Sequence, residues 1–343
     1  MTSTQLSWDA ALYGGAWVAH GRAAVQWALS SEHLSSDRTA GWIRKAGAAR
    51  GEQRGFRSLL SRAFIFLDGP EHLAARTAAA SHFSVHQVLQ RKALLHQWAD
   101  EVAGAIPACS PVDLVEHYAR QVPLRIMCHW MGIKVESSPG LWSASRALAL
   151  FLERPSLHAS VAREAEDAAR WLIAALGLQE PLSYEQVQRL MLFFAGLETT
   201  RHLLSVSLLM GLQSTQTWQS LAQESCAQAV VHQVLREHPP IRITGRRVKH
   251  SHLAFGQALR RGDLVVADLH SAGLPFGSGP HTCLGAALTR TEAITALQAL
   301  SQARPLLRLA KTPSPETWLA GPLYNGLTEL WATDAPDDLP QSR

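Results

Sequence analysis

The feature that most constrains this chain is a turn-rich loop with one cysteine, at residues 276–286. The loop reads FGSGPHTCLGA, so it holds three glycines and a proline and places Cys283 directly before an apolar pattern at helical spacing. A cysteine in that position is expected at a helix N-terminus, where free backbone N–H groups favour the thiolate. Gly279 and Gly285 let nearby backbone approach a large flat ligand. The simpler alternative is a buried structural cysteine after a glycine-rich turn.

The spacing Phe276-x-x-Gly279-x-x-x-Cys283-x-Gly285 resembles the haem-binding loop of the cytochrome P450 family. The resemblance implies haem b as the cofactor, with the Cys283 thiolate as the axial ligand of the iron. It also implies that Phe276, Gly279, His281 and Gly285 contact the cofactor. A zinc site at His281 and Cys283 is a weaker alternative, because two ligands at i and i+2 are no site without others nearby.

A second segment, Asp68-Gly-Pro-Glu-His-Leu-Ala-Ala-Arg76, reads as the start of a helix. Pro70 suits the first turn of a helix that continues toward residue 81. His72 and Arg76 are spaced i, i+4, so both point from one face, where two donors can hold a pair of carboxylates. The P450 family has a similar D-x-P-x-H-x-x-x-R segment, which implies that His72 and Arg76 bind the haem propionates. An ordinary solvated helix face is the alternative.

A third motif lies in the middle of a long predicted helix. Ser183 and Gln186 form a capping-box pattern that begins this helix, and its apolar pattern ends near Gly211. A carboxylate and two hydroxyls inside an apolar helix are costly without partners or a task. The stretch Ala-Gly-Leu-Glu198-Thr199-Thr resembles the oxygen-activation motif A-G-x-[DE]-T-[TS] of the family. By that match Glu198 and Thr199 deliver protons as a general-acid relay; the alternative is a buried polar group that ties helices together.

The chain departs from the family pattern in a further helix. Where the family has E-x-x-R, this chain has Gln233 and Arg236, so the arginine is kept and the acid is replaced by its amide. Farther along, Arg246 best matches the family's third propionate-binding residue, with Arg247 as a near competitor.

The same comparison predicts a truncation before the cysteine loop. A β-strand is predicted at 263–267, and only residues 268–275 separate it from Phe276, where the family carries a much longer segment. That segment supplies the arginine that usually pairs with the E-x-x-R glutamate. Without it a buried glutamate would be an uncompensated charge, whereas Gln233 can be satisfied by hydrogen bonds. We therefore interpret the chain as a shortened variant with an altered surface for its electron donor.

The amino-acid composition indicates the class of protein and the cellular compartment in which this chemistry is expected. A hydrophobic fraction of 47% with 17% charged residues argues for a sizeable core, and the formal charge of +4 comes without a Lys/Arg run that would indicate nucleic acid. Cysteines 109, 128, 226 and 283 are far apart, as expected for a reduced cytoplasmic protein. No secretory signal is visible, and charged residues interrupt the longest apolar pattern, so no membrane anchor is expected.

Together these patterns predict a mainly α cytochrome P450 fold with a small β lobe, as a single domain over 1–343. Its parts would be an N-terminal region with distal-pocket loops (1–67), a helical haem-binding core (68–300) and a C-terminal β-rich lobe and tail (301–343). The implied function is a monooxygenase that oxidises a small or medium organic substrate with O2 and two electrons from a ferredoxin/reductase-type donor. Atypical haem chemistry (oxidative coupling, nitration or rearrangement) and a degenerate haem-binding or interaction protein remain as alternatives.

Overall fold

The computed structural model describes residues 5–39, 56–80, 83–108, 110–133, 138–153, 159–179 and 181–335. They belong to two compact units, each drawn from three separate stretches of chain. The first unit takes Met1–Phe83, Glu136–Ala195 and Ile241–Leu284, and the second takes Ser84–Val135, Gly196–Pro240 and Gly285–Arg343. The single domain over 1–343 stays a prediction. Cys109 and the tail 336–343 lie outside the described residues.

A mixed sheet forms the centre of the first unit. Its order is β1-β2-β8-β5-β3, with β2 and β8 parallel and the other neighbours antiparallel. A separate hairpin pairs β6 with β7. The strands of this unit are β1 (Gln5–Asp9), β2 (Ala16–His20), β3 (Leu34–Ser35), β5 (Ile243–Val248), β6 (His252–Ala254), β7 (Gln257–Leu259) and β8 (Leu264–Asp268).

The two N-terminal strands were not part of the sequence prediction, which described residues 1–67 as an N-terminal region with distal-pocket loops. The run Ala16 to Ala19 is too short to reveal its state by periodicity, and its pairing with β8 decides it. Val265 and Ala267 are fully buried, as a central strand requires. The strand predicted at 263–267 is β8, one residue later, and residues 269–275 form turns up to Phe276.

The helices of the first unit include two that the sequence predicted. The Pro70 helix runs over Gly69–Ala80, and the capping box begins the long helix Tyr184–Gly211 as expected. The Ser183 hydroxyl accepts from the Gln186 N–H at 3.2 Å, and the Gln186 side-chain oxygen accepts from the Ser183 N–H at 2.7 Å. The helices are α1 (Gly21–Ser30), α2 (Phe56–Arg62), α3 (Gly69–Ala80), α7 (Ser138–Glu153), α8 (Ala159–Ala175) and residues 184–195 of α9 (Tyr184–Gly211).

The second unit is mainly helical, and α12 lies at its centre, packed against α5 and α11. A buried Tyr118 donates its hydroxyl hydrogen to the Ala296 carbonyl of α12 at 2.7 Å. The unit also contains α4 (Val85–Gln90), α5 (Lys92–Gly104), α6 (Gln121–Met131), α10 (Thr215–Ser220), α11 (Glu224–Glu237), α12 (Ala286–Ala303) and the remainder of α9.

The C-terminal part of the second unit has less strand than the sequence predicted. A three-stranded sheet of order β4-β10-β9 joins β4 (Val112–Asp113), β9 (Arg308–Leu309) and β10 (Trp331–Thr333), and residues between β9 and β10 are mostly loop. The many prolines and glycines of this stretch explain the loops. Across the described ranges, none of the helices is both long enough and apolar enough to cross a membrane.

Candidate active site

The loop that carries Cys283 is closed by its own backbone. The Cys283 N–H donates to the Phe276 carbonyl at 2.9 Å, and the Thr282 hydroxyl donates to the Gly279 carbonyl at 2.7 Å. Gly279 has a φ of +72°, and a Cβ at this position would lie 2.6 Å from the Ser30 hydroxyl oxygen. Both the backbone conformation and the close approach therefore require glycine here. Cys283 itself is exposed.

The position of Cys283 relative to the following helix differs from the sequence prediction. Helix α12 begins at Ala286, with Gly285 as its capping residue, so Cys283 precedes the helix instead of lying in its first turn. The effect of a helix dipole falls off within the first turn, which weakens the argument for a dipole-stabilised thiolate. A Cβ on Gly285 would make only an ordinary 3.8 Å contact with Thr289, so the protein's own packing does not require glycine there.

Two histidines stack beside the cysteine loop. The rings of His72 on α3 and His281 have centroids 3.9 Å apart, and His281 Nε2 lies 2.9 Å from the Ser36 hydroxyl oxygen. His72 is buried, and its Nε2 has no hydrogen-bond partner among the described residues. A buried ring nitrogen without a partner is costly, so this atom is available to a ligand.

Arginines surround the two histidines. Arg246 on β5 is only 5% exposed, and burial lowers its pKa to about 10 although Asp68 opposes the shift. Burial also lowers the pKa of Arg38 to about 10, and the nearby Arg246 adds to the effect. Arg76 is close enough to depress the pKa values of both histidines.

The carboxylates close to this positive charge, Asp68 and Asp37, both accept hydrogen bonds from neighbouring residues. Asp68 accepts from the Ser35 hydroxyl and from the Ser36 N–H, the latter at 3.0 Å. Among the described residues, three buried or half-buried arginines thus face two carboxylates that are already hydrogen-bonded. Arg247, the competing candidate on β5, donates instead to the Gly262 carbonyl at 3.0 Å, and adjacent residues on a strand point to opposite faces.

The pKa values of the two histidines predict an acid-labile apoprotein. Burial, Arg246 and His72 lower the pKa of His281 to about 3, and burial and Arg76 lower that of His72. Because these folded-state values lie below the ordinary value near 6.5, the unfolded chain binds more protons between those limits, and stability falls as pH drops through that window.

We expect the free energy of unfolding of the apoprotein in urea to decrease by about 1 kcal/mol or more per pH unit between pH 6 and pH 4. His281→Asn should flatten this dependence, and a dianionic ligand that raises both pKa values should do the same. Equal slopes for the parent protein and the His281→Asn variant would show that other groups dominate.

A separate ionic cluster lies on α9 in the second unit. Glu198 is 3% exposed, and its Oε2 lies 3.1 Å from Arg201 Nε and 3.4 Å from His202 Nε2. Arg201 also donates to the Leu327 carbonyl at 3.1 Å. Glu198 Oε1 has no hydrogen-bond partner among the described residues. Glu198 thus has one carboxylate oxygen close to Arg201 and His202 and a second oxygen with no hydrogen-bond partner among the described residues. Thr199 follows Glu198 on the same helix.

Gln233 and Arg236, which occupy the E-x-x-R position, do not form the buried hydrogen-bond network that the sequence suggested. The Gln233 side-chain amide donates to Glu237 Oε2 at 3.0 Å, and Arg236 donates to Glu237 Oε1 at 2.8 Å. Gln233 is half-buried, and the Arg236 side chain is 68% exposed. The hydrogen bond of Gln233 that the described residues show goes to a carboxylate, and position 233 is half-buried, whereas the sequence analysis assumed that it is buried.

The structure adds site residues that the sequence analysis missed. Arg38, Ser36 and Asp68 join the two histidines because β3 pairs with β5, a contact between residues far apart in sequence. No local pattern marks Arg38. The partners of Glu198 could have been found, since Arg201 and His202 follow it at i+3 and i+4 on a predicted helix.

The chain resembles bacterial cytochromes P450 in both sequence and fold. It is 27% identical over 370 residues to cytochrome P450 105A3 of Streptomyces carbophilus, which covers 94% of this chain and 88% of that protein. It is 26% identical over 317 residues to the vitamin D(3) 25-hydroxylase of Pseudonocardia autotrophica, covering 79% of this chain and 78% of the relative. The curated relatives that the chain resembles are thus bacterial cytochromes P450.

Solved structures support this assignment at the level of fold. The P450 CYP109E1 of Bacillus megaterium, in complex with testosterone, superposes with a TM-score of 0.77 at 20% identity, covering 97% of this chain and 95% of that one. Epothilone D-bound cytochrome P450epoK gives 0.78 at 18% identity, with 94% and 91% covered. No family model matches the sequence. The predicted P450 fold is confirmed, and haem b is the cofactor.

The residues of the first unit fit this P450 cofactor. Haem b carries two carboxylates, and the unit offers an excess of buried positive charge together with the partnerless Nε2 of His72. It also offers an exposed cysteine on a loop whose Gly279 packs closely on Ser30. Charge, donors and thiol are therefore all present in one unit.

Proposed function

We propose that this chain is a haem-thiolate monooxygenase that oxidises an apolar organic substrate with O2 and two electrons from a ferredoxin/reductase-type donor. The observation that carries the proposal is the exposed Cys283 beside a cluster of arginines that lacks enough anions. When bound, the haem supplies the redox chemistry that activates O2 for oxygen insertion. Two of the curated relatives of similar sequence are named as hydroxylases, which supports the same reaction class.

In this proposal the chain's own residues divide the work of holding the cofactor. Cys283 would hold the haem iron through its thiolate, and Gly279 and Phe276 shape the loop that presents it. His72 and His281 donate hydrogen bonds to the propionates, and Arg76 and Arg246 neutralise their charge. Gly285 lets the chain pass close to the ring.

Glu198 and Thr199 are the proposed proton donors. The Glu198 carboxylate is held by Arg201 through one oxygen, while its other oxygen is buried without a partner. An oxygen in that state accepts a hydrogen bond from water or from a hydroxyl, and such a chain of bonds carries a proton to the site of oxygen reduction. Thr199 follows directly and presents a hydroxyl for this purpose.

The substrate class follows from the relatives by analogy alone. Their names include a vitamin D3 dihydroxylase, a mycinamicin C21 methyl hydroxylase and a pentalenic acid synthase. We propose a substrate of similar character, apolar and of small or medium size, including intermediates of specialised metabolism. We also propose a cytoplasmic location, a single domain over 1–343, and a shortened segment before the cysteine loop that alters the docking surface for the electron donor.

One observation favours the alternatives of atypical haem chemistry or a degenerate haem protein. Gln233 and Arg236 both bind Glu237 instead of forming a buried network, and Arg236 is largely exposed. The structural support that a buried E-x-x-R network would give to the side of the haem bound by Cys283 is therefore provided by other contacts or lost.

The absorption spectrum of the reduced protein with carbon monoxide tests the proposal first. A red-shifted Soret band, typical of thiolate ligation, is expected. The protein should then be screened with vitamin D3, a macrolide, a diterpene and a fatty acid, using either a surrogate ferredoxin/reductase pair or hydrogen peroxide. Oxygenated product establishes the monooxygenase. Haem without the red-shifted band favours the degenerate alternative, and coupled or rearranged products without added oxygen favour atypical chemistry.

A further inference from the structure

Arg38 is a half-buried arginine, with a buried Nε, that the proposed cofactor site leaves without an assigned task. It follows β3, and its side chain crosses the face of Gly245 on β5. A Cβ at Gly245 would lie only 3.2 Å from Arg38 Cδ and Nη1. Its guanidinium carbon lies 5.0 Å from the centroid of the Phe66 ring. Glycine at 245 thus makes room for this arginine beside the strand that also carries Arg246.

The carboxylates near Arg38 are bound elsewhere. Asp37 Oδ1 accepts from both the N–H and the hydroxyl of Thr39, each at 2.8 Å. Asp68 accepts from Ser35 and Ser36. Arg38 Nε is buried with no hydrogen-bond partner among the described residues. A guanidinium whose Nε is buried without a hydrogen-bond partner costs free energy, unless a ligand supplies that partner.

The charge balance of the cluster indicates what that ligand carries. Arg38, Arg76 and Arg246 are positively charged, and the carboxylates near them are Asp68, which binds Ser35 and Ser36, and Asp37, which binds Thr39. An excess of positive charge remains, which suits the negatively charged propionates of haem.

We propose that Arg38 binds a haem propionate through a charge-assisted hydrogen bond, as a cofactor-binding residue in addition to those that the sequence indicated. The inference rests on the proposed haem site, because its ligand is the same cofactor. Arg38 then has two roles: it slows the release of haem, and its positive charge favours the ferrous over the ferric state. Packing on Phe66 alone would require neither effect.

The test compares purified holoproteins of the parent, Arg38→Gln and Arg38→Lys. Haem release to excess apomyoglobin should become about ten to one hundred times faster for Arg38→Gln, the range expected for loss of a hydrogen bond to a charged group. Arg38→Lys keeps the charge without the planar fork and should fall in between. The haem reduction potential should decrease in Arg38→Gln and change much less in Arg38→Lys.

Arg247→Gln is the matched control, because it removes the same charge from the neighbouring strand at a side chain that binds the Gly262 carbonyl. Its haem release should stay near the parent rate. Urea unfolding of the apoproteins separates binding from packing: Arg38→Gln should be at least as stable as the parent, because a positive charge beside Arg246, with a buried Nε that lacks a hydrogen-bond partner among the described residues, has been removed.

Unchanged haem release and potential in Arg38→Gln would overturn the proposal. So would an apoprotein that is destabilised as much as the holoprotein, which would assign Arg38 to packing. These outcomes are independent of the reaction type, since haem release can be measured even if the carbon monoxide spectrum rules out thiolate ligation and the monooxygenase proposal fails.

Discussion

Replacing Cys283 with serine should eliminate the red-shifted carbon monoxide band and reduce monooxygenation to the background of the protein-free reaction. A serine oxygen is a much poorer donor of electron density to haem iron than a thiolate, and this donation is what favours O–O cleavage. Because Cys283 is exposed on a loop closed by its own backbone, the substitution should leave the fold intact. The measurement is the reduced, carbon monoxide-bound spectrum alongside product formation with the most active probe of the screen.

Cys226→Ser is the control for this prediction. Cys226 is a half-buried free cysteine on α11, so its replacement removes a thiol without touching the loop. Its spectrum and turnover should match those of the parent. A red-shifted band that persists in Cys283→Ser would mean that another residue binds the iron, and the assignment of the loop would be wrong.

The second large effect is expected at Glu198. Glu198→Gln should lower reductase-supported turnover about a hundredfold, the lower end of what a positioned general acid contributes. Most of the electrons should then be lost as hydrogen peroxide instead of reaching product. Peroxide-supported turnover should decrease far less, because peroxide brings its protons with it. The ratio of the two rates, measured on the same holoprotein, is the diagnostic quantity.

Two further variants, Thr199→Val and Glu185→Gln, distinguish a role of Glu198 in proton delivery from a purely structural role. Glu198→Gln leaves the half-buried Arg201 without its carboxylate, so some loss of stability is expected as well. Thr199→Val removes a hydroxyl without disturbing that ion pair and should show the same shift toward peroxide release. Glu185→Gln, at the exposed start of the same helix, should behave like the parent. Equal losses with both oxidants would remove Glu198 from proton delivery.

How far the site could be predicted depended on whether its contacts were local. His72 and Arg76 share a helix, so their spacing alone predicted a common face. The loop of Cys283 was likewise legible as one continuous motif. Arg38 was not, because it reaches the site through the pairing of β3 with β5, and nothing in its own neighbourhood distinguishes it from other arginines.

Other differences between prediction and structure have similar physical causes. The strands β1 and β2 are short and gain their identity from the sheet, so residues 1–67 lacked a clear periodic signal. The helix boundary at Ala286, three positions after the cysteine, reflects a loop tightened by hydrogen bonds to Phe276 and Gly279. Burial at position 233 was inferred from a family pattern that the packing of α11 does not reproduce.

The parallel pairing of β2 with β8 has a consequence for biosynthesis. Trp17 lies opposite Val265, so an edge of β2 has no partner strand until most of the polypeptide has left the ribosome. Such long-range pairings slow folding, and an unpaired apolar edge invites association with other nascent chains. Production of this protein should therefore benefit from slow translation at low temperature and from chaperones that shield the N-terminal hairpin until β8 arrives.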